Sequence, residues 1–250
     1  MKAYINQNCV QGYCRTIRRY YKSLTFTSNG TFLVPNETEQ LTVDCVAAQG
    51  NGGAKGGRVQ CVLKTTPGQT LYIVIGLSSA TYNASDIRTE SSNLSSRLIV
   101  AGGGGFGSYA GAGGGLTGGH GSTSGYNSGG GGGTQSAGGA GSYLTGGSPR
   151  GGSNGTAGSL GYGGTGWTRG GAGYYGGGGG SSWDISKVGV QYGGSGGGSS
   201  YTHATLCSSV THTQGYRSGN GYISLNYEVA EGESYDYYVD EVFTKLVRNR

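Results

Sequence analysis

Few residues in this chain have the type and spacing to do chemistry. His203, Cys207 and His212 carry zinc-ligand atoms, but H-x3-C-x4-H binds a metal only if one loop gathers all three, and they are read as surface loop residues. Cys9 and Cys14 stand as C-x4-C, unlike the C-x2-C of a zinc knuckle, and no second pair follows. Five Cys is an odd number, so at least one thiol stays free or pairs with another chain. Cys45 and Cys61 fall on alternating segments, where a buried thiol is the expectation. Gly-x-Gly-x-x-Gly matches arise by chance among 58 Gly, and none opens a helix as a phosphate site requires. The N-x-Ser/Thr sequons at Asn29, Asn36, Asn83, Asn93 and Asn154 are read as chance matches too. No enzyme, cofactor or metal is expected from these residues.

What can bind is a set of aromatic side chains set among glycines: Tyr109, Tyr126, Tyr162, Trp167, Tyr174, Tyr175, Trp183 and Tyr192. Tyr and Trp offer a large contact area at low entropy cost, and loops on a rigid body suit recognition. These eight are the candidate surface-binding residues. Their competing role is to cap the edge of whatever the glycines build.

That scaffold is compositionally distinct, because 45 of the 58 Gly lie between residues 101 and 200. Only Arg150, Arg169, Asp184 and Lys187 carry formal charge there, which argues against a charged disordered segment. Runs such as 102–105 and 176–180, with 3 Pro in the whole chain, exclude a collagen repeat. Aliphatic side chains are too sparse to offset the ordering of so many residues, at roughly 1 to 2 kcal/mol each. Hydrogen bonding between backbones is what remains. Polyglycine can form an extended helix of three residues per turn whose N–H and C=O groups all point to neighbours. The glycine runs are therefore expected inside, and the clusters 106–109, 122–128, 134–137, 148–150, 167–169 and 181–190 at the turns.

Around this region the pattern is that of strands. Leu24, Phe26 and then Phe32, Val34 alternate about Asn29-Gly30, which predicts a two-residue hairpin. Leu41-Val43-Cys45-Ala47, Val59-Cys61-Leu63, 71–75, 98–101 and 221–227 read as further strands. The expected fold is mainly β: a jelly-roll-like β-sandwich with a long insertion of packed polyglycine-II helices. Expected boundaries are a basic N-terminal arm at 1–22, the sandwich at 23–101 plus 221–227, the glycine layer at 102–198 and a return loop at 199–220. An acidic segment with a C-terminal amphipathic helix takes 228–250. The helix, over 238–248, rests on Val239, Val242, Phe243 and Leu246 recurring at helical spacing.

The net charge of +5 equals the five basic residues Lys2, Arg15, Arg18, Arg19 and Lys22, with no acid before Glu37. Such an arm could meet nucleic acid or an acidic membrane, and five charges ahead of a balanced body fit an assembly arm about equally well. The assembly arm is the expectation taken, with nucleic acid not expected as a partner. Arg15, Arg18, Arg19, Val239, Val242, Phe243 and Leu246 are the candidate assembly residues. The longest apolar runs are about a quarter of a bilayer-spanning helix, so no membrane insertion is expected. No apolar export leader is read after Met1.

Residues 51–57 (Asn-Gly-Gly-Ala-Lys-Gly-Gly), 66–76 (Thr-Pro-Gly-Gln-Thr-Leu-Tyr-Ile-Val-Ile-Gly), 98–105, 173–180, 193–201 and 219–225 carry a further pattern. In that order they resemble the glycine-rich domain of the anaplastic lymphoma kinase and leukocyte tyrosine kinase receptors, over roughly residues 40 to 227. Similar domains occur in phage tail proteins, and the tail-tip adhesins of T-even phages use related polyglycine packing. The resemblance implies a sandwich joined to packed polyglycine helices. It does not carry over the receptor role, since no kinase domain or transmembrane helix is present. The function expected is a non-enzymatic structural subunit of a virion, tail fibre or extracellular filament. It would be a homo-oligomer that self-assembles through its termini and presents the turns, adhesin-like, to a cell-surface glycan or protein. The alternative is a secreted receptor-like domain that binds a protein ligand.

Overall fold

The computed structural model describes residues 3–10, 13–123, 125, 127–145, 152–185 and 189–237. The protein is mainly β, and its strands form three antiparallel sheets. A six-stranded sheet has the order β1 (Ala3–Val10), β2 (Tyr13–Phe26), β14 (Tyr222–Tyr237), β4 (Gln40–Val46), β5 (Gly56–Lys64), β13 (Cys207–Arg217). A five-stranded sheet has the order β12 (Tyr201–Thr202), β8 (Arg97–Ala101), β7 (Ser85–Arg88), β6 (Thr70–Val74), β3 (Gly30–Leu33). The third sheet is small: β11 (Gly189–Tyr192), β10 (Ser182–Ile185), β9 (Gly152–Ser153).

The two larger sheets form a β-sandwich, because period-two alternation gives each an apolar face. Leu41, Val43, Cys45, Val59, Cys61, Leu63, Ile223 and Leu225 come from one sheet; Phe32, Leu71, Ile73, Ile87 and Ile99 come from the other. All are buried in one cluster, each side chain worth about 1.5 to 3 kcal/mol of transfer free energy. On the opposite face of the six-stranded sheet Asp44 takes both a 2.6 Å and a 2.9 Å bond from Arg58.

Three sequence expectations need correction. Asn29-Gly30 is not a hairpin turn, because β2 pairs with β14 and β3 pairs with β6, in different sheets. Asn29 instead accepts the Ile75 N–H at 2.8 Å through Oδ1, and so fixes the corner where the chain changes sheet. Residues 199–220 are not a loop: they contain β12 and β13, and polar β13 is an edge strand with two register shifts against β5. The basic arm and the acidic segment are strands too. β2 runs unbroken through residue 22, and β14 through the acids to Tyr237. The expected helix at 238–248, with Val239, Val242, Phe243 and Leu246, lies outside the described residues.

Between β8 and β12 the chain makes ten extended segments: 102–105, 110–114, 117–122, 128–133, 137–142, 154–159, 163–166, 169–173, 176–181 and 193–200. Successive segments lie side by side and antiparallel, as in Gly121→Gly130 and Gly118→Gly133 (N–H to C=O) or Gly177→Gly171 and Gly180→Thr168. Their bonding directions repeat every third residue. In 193–200 the N–H groups of Gly193 and Gly196 go to 176–181 and that of Ser199 to the adjoining Tyr175, those of Gly194 and Gly197 go to 117–122, and that of Gly198 to Gly103. Carbonyls of the same segment accept from 128–133 (Gly194, Gly197), 110–114 (Ser195, Gly198) and 169–173 (Gly196). Segment 193–200 thus has six bonded neighbours. Segment 176–181 also has six, namely 128–133, 137–142, 154–159, 163–166, 169–173 and 193–200.

Such spacing leaves no room for a side chain at most interior positions. A Cβ on Gly178 would overlap the carbonyl of Ala140, and one on Gly197 the carbonyl of Ala112. We expect Gly178→Ala to cost at least about 3 kcal/mol of stability, at the upper end of overpacking effects. Ala157→Val, at an exposed position of segment 154–159, should be near neutral. Chemical denaturation of the two variants checks this.

Candidate functional site

Strand β8 runs directly into segment 102–105, segment 193–200 runs directly into β12, and β8 and β12 pair through Tyr201↔Val100. One end of the glycine bundle therefore continues the five-stranded sheet. At this end lie the turns around 115–116, 134–137, 160–162 and 174–175. At the other lie 106–109, 123, 125, 127, 143–145 and 167–168, with the small sheet of β9, β10 and β11.

The junction is polar and fully bonded. Asn83 is buried and donates Nδ2 to Gly104 O at 2.8 Å, while its Oδ1 accepts from Ala172 N at 2.9 Å. Its backbone carbonyl accepts the Ala48 N–H at 3.0 Å, so one residue ties together three other chain segments. A glycan on this sequon has no place in the folded chain. Arg97, also buried, donates to Leu94 O (2.7 Å), Gly173 O (2.8 Å) and Tyr174 O (3.0 Å), and its guanidinium lies over the Tyr174 ring. Nearby, Asp86 takes two 2.6 Å bonds from Arg88 and one of 2.5 Å from the Tyr82 hydroxyl. Burial, and next the Asp86 charge, push the Tyr82 phenol well above its ordinary pKa.

The eight candidate binding residues divide between the two ends. Tyr174 stacks on Tyr201 at 4.0 Å and 10°, Tyr175 meets Tyr174 edge-on, and both sit at the sandwich end. There they clamp the junction together with Arg97. Tyr162 is at the same end, partly exposed and edge-on to Tyr82. Tyr109, Trp167, Trp183 and Tyr192 belong to the far end, and Tyr126 lies outside the described residues. Of the candidate assembly residues, Arg15 and Arg18 take positions in β2, and Arg19 stands 3.6 Å from Glu228.

Tyr109 and Trp167 are each 56% exposed, and so is Tyr143, which the sequence reading omitted. Tyr143 bears the same signal as the others, an aromatic between glycine runs. Each ring stands on backbone pinned to the bundle. Trp167 N–H donates to Gly180 O, Tyr143 N–H to the Ser128 hydroxyl, and Tyr109 O accepts from Ser122 N. Tyr109 holds φ of 64°, an uncommon conformation for a residue with a side chain, and its ring leans on Tyr192 at 6.1 Å. Arg169 is fixed between Thr81 Oγ1 and the Phe106 ring. A surface of pinned aromatic faces with backbone amides and hydroxyls between them can stack on rings and hydrogen-bond polar groups.

His203, Cys207 and His212 are not brought together, and among the described residues no three His, Cys, Asp or Glu lie close enough to hold a metal ion. His203 Nδ1 faces the Thr205 hydroxyl, whereas His212 stands on β13 opposite Val59, where burial lowers its pKa. Cys207 is lowered by a hydrogen bond from Cys61, whose own thiol is raised by that bond and by burial. Among the described residues no helix is long and apolar enough to cross a membrane. No protein-family model and no curated protein matches the chain.

Replacing Asn83 by Ala leaves Gly104 O and Ala172 N buried without partners, at about 1 to 3 kcal/mol each. We expect Asn83→Ala to lower the thermal midpoint sharply and Asn36→Ala, on an exposed loop, to leave it unchanged. Calorimetry of both variants measures the contrast.

Proposed function

We propose that this protein is a non-enzymatic structural and recognition subunit of a virion, tail fibre or extracellular filament. It would build its recognition end on polyglycine-II helices inserted in a jelly-roll-like sandwich. The observation that carries the reading is the group of three exposed rings, Tyr109, Tyr143 and Trp167, on turns whose backbones are bonded to an interior without side-chain freedom. The three-residue repeat of bonding directions, with six bonded neighbours around 176–181 and around 193–200, supports the polyglycine-II assignment. A rigid support keeps the ordering cost of binding low, which is the advantage of preorganised recognition loops.

The exposed rings at that end favour a target read by stacking and hydrogen bonding, such as a sugar ring or an aromatic-rich protein loop. Attachment through the other end of the molecule leaves these turns outward. That geometry suits a subunit at the tip or along the side of a larger assembly.

The test is binding of the purified chain to an array of bacterial and eukaryotic surface polysaccharides and to whole cells. We expect Trp167→Ala, Tyr109→Ala and Tyr143→Ala each to weaken binding, with the strongest single loss near 2 kcal/mol or roughly 30-fold, and to leave the thermal midpoint unmoved. Tyr162→Ala, at the sandwich end, should bind as the unmodified chain does. Equal binding by all four variants would remove the far-end turns as the recognition surface.

A further inference from the structure

The strands of the six-stranded sheet differ greatly in reach. β2 and β14 pair from Phe26↔Ile223 out to Tyr13↔Tyr237, whereas β4 covers β14 only from Tyr222 to Tyr227. Past that point β1, β2 and β14 run on as a three-stranded ribbon. Among the described residues no strand pairs with the edge of β14 away from β2 from Val229 to Tyr237, nor with the outer edge of β1. The Glu228 carbonyl is still met, by the Thr38 hydroxyl at 2.7 Å. Where β4 begins, a groove of about 620 Å3 opens between Arg19, Glu39, Gln40, Asn226 and Glu228. An edge of this length presents N–H and C=O groups at every second residue, which is a template for another strand.

We propose that the strand added to this edge is β1 of a second copy, so that the β14 edge of each protomer takes the β1 edge of the next. The inference rests on the reading of the protein as a self-assembling subunit and names its interface. Length favours β1, since its 8 residues span all but one position of the uncovered stretch 229–237. Charge selects the pairing mode. Residues 229–237 include Glu231, Glu233 and Asp236, so β14 against β14 would set two acidic rows side by side. Strand β1 contains no acid, and its register beside β2 places Ile5 next to Arg18, the residue opposite Glu231. One type of contact then covers both open edges. Being head-to-tail, it either closes into a ring or continues as a fibre.

Sedimentation velocity on the full chain and on four single-proline variants tests this. Hydrogen-bonding direction alternates along a strand, so of Asn6→Pro and Gln7→Pro one removes an outward N–H from β1. Ser234→Pro and Tyr235→Pro do the same for β14. We expect the unmodified chain to be oligomeric. One variant of each pair should be monomeric with the sandwich's thermal midpoint unchanged, and a 1:1 mixture of those two monomers should give a dimer and nothing larger, because one intact interface remains. The proposal is overturned if the β14-blocked protein still dimerises alone, which means β1 pairs with β1, or if the β1-blocked protein does, which means β14 pairs with β14. Oligomers indifferent to all four prolines would remove this interface and keep self-assembly. A monomeric unmodified chain would remove both.

Discussion

Backbone contact without an intervening Cβ is the constraint from which the rest follows. Segments 176–181 and 193–200 each bond to six neighbours, and that is achievable only where backbones come close enough for N–H and C=O groups to meet directly on all sides. The interior of this half of the molecule is polar, yet the backbone groups named above are paired, which spares them the penalty of buried unsatisfied amides. Serine enters at a few positions by finding a carbonyl of its own: Ser195 donates to Phe106 O and Ser199 to Thr134 O. Larger side chains stand at the turns or on the exposed faces of outer segments, as His120 and Thr156 do. The aromatic residues are therefore at the ends because the interior excludes them.

Two interiors of opposite character must join without leaving groups orphaned. The sandwich buries Leu, Val and Ile side chains, the bundle buries peptide groups, and the boundary needs side chains that speak to both. Asn83 does so through its amide, which imitates one more backbone unit against Gly104 and Ala172. Arg97 does so with a planar cation, capping two turn carbonyls while its face rests on Tyr174, itself stacked on Tyr201. A buried charge that forms no ion pair with a carboxylate among the described residues is tolerated there because it donates to the carbonyls of Leu94, Gly173 and Tyr174. The far end, by contrast, has no second body to satisfy and leaves Tyr109, Tyr143 and Trp167 exposed.

Sequence pattern made the alternating strands legible, since Leu41-Val43-Cys45 and Val59-Cys61-Leu63 could face only one core. β13 was hidden because an edge strand half in solvent needs no apolar alternation, and CSSVTHTQGYR shows none. Asn29-Gly30 misled because local turn preference was outweighed by a tertiary bond to Ile75, 46 residues away. In the same way Asn83 looked like a sequon and Tyr174 like a binding residue. Their roles depend on partners 21 and 77 residues distant, which no local window contains. Sequence placed aromatics at turns; it could not tell which turns face the sandwich.

Hydrogen exchange resolved at single glycines tests the central claim most directly. If the bundle is held by its backbone bonds, the N–H groups of Gly177, Gly178, Gly196 and Gly197 exchange only through global opening. Their protection should then match that of Val43 and Val59 in the sandwich core. Exchange of these glycines near the unstructured rate, with Val43 and Val59 still protected, would mean that the bundle does not hold itself together, and the account of the fold and of the proposed recognition surface would fail.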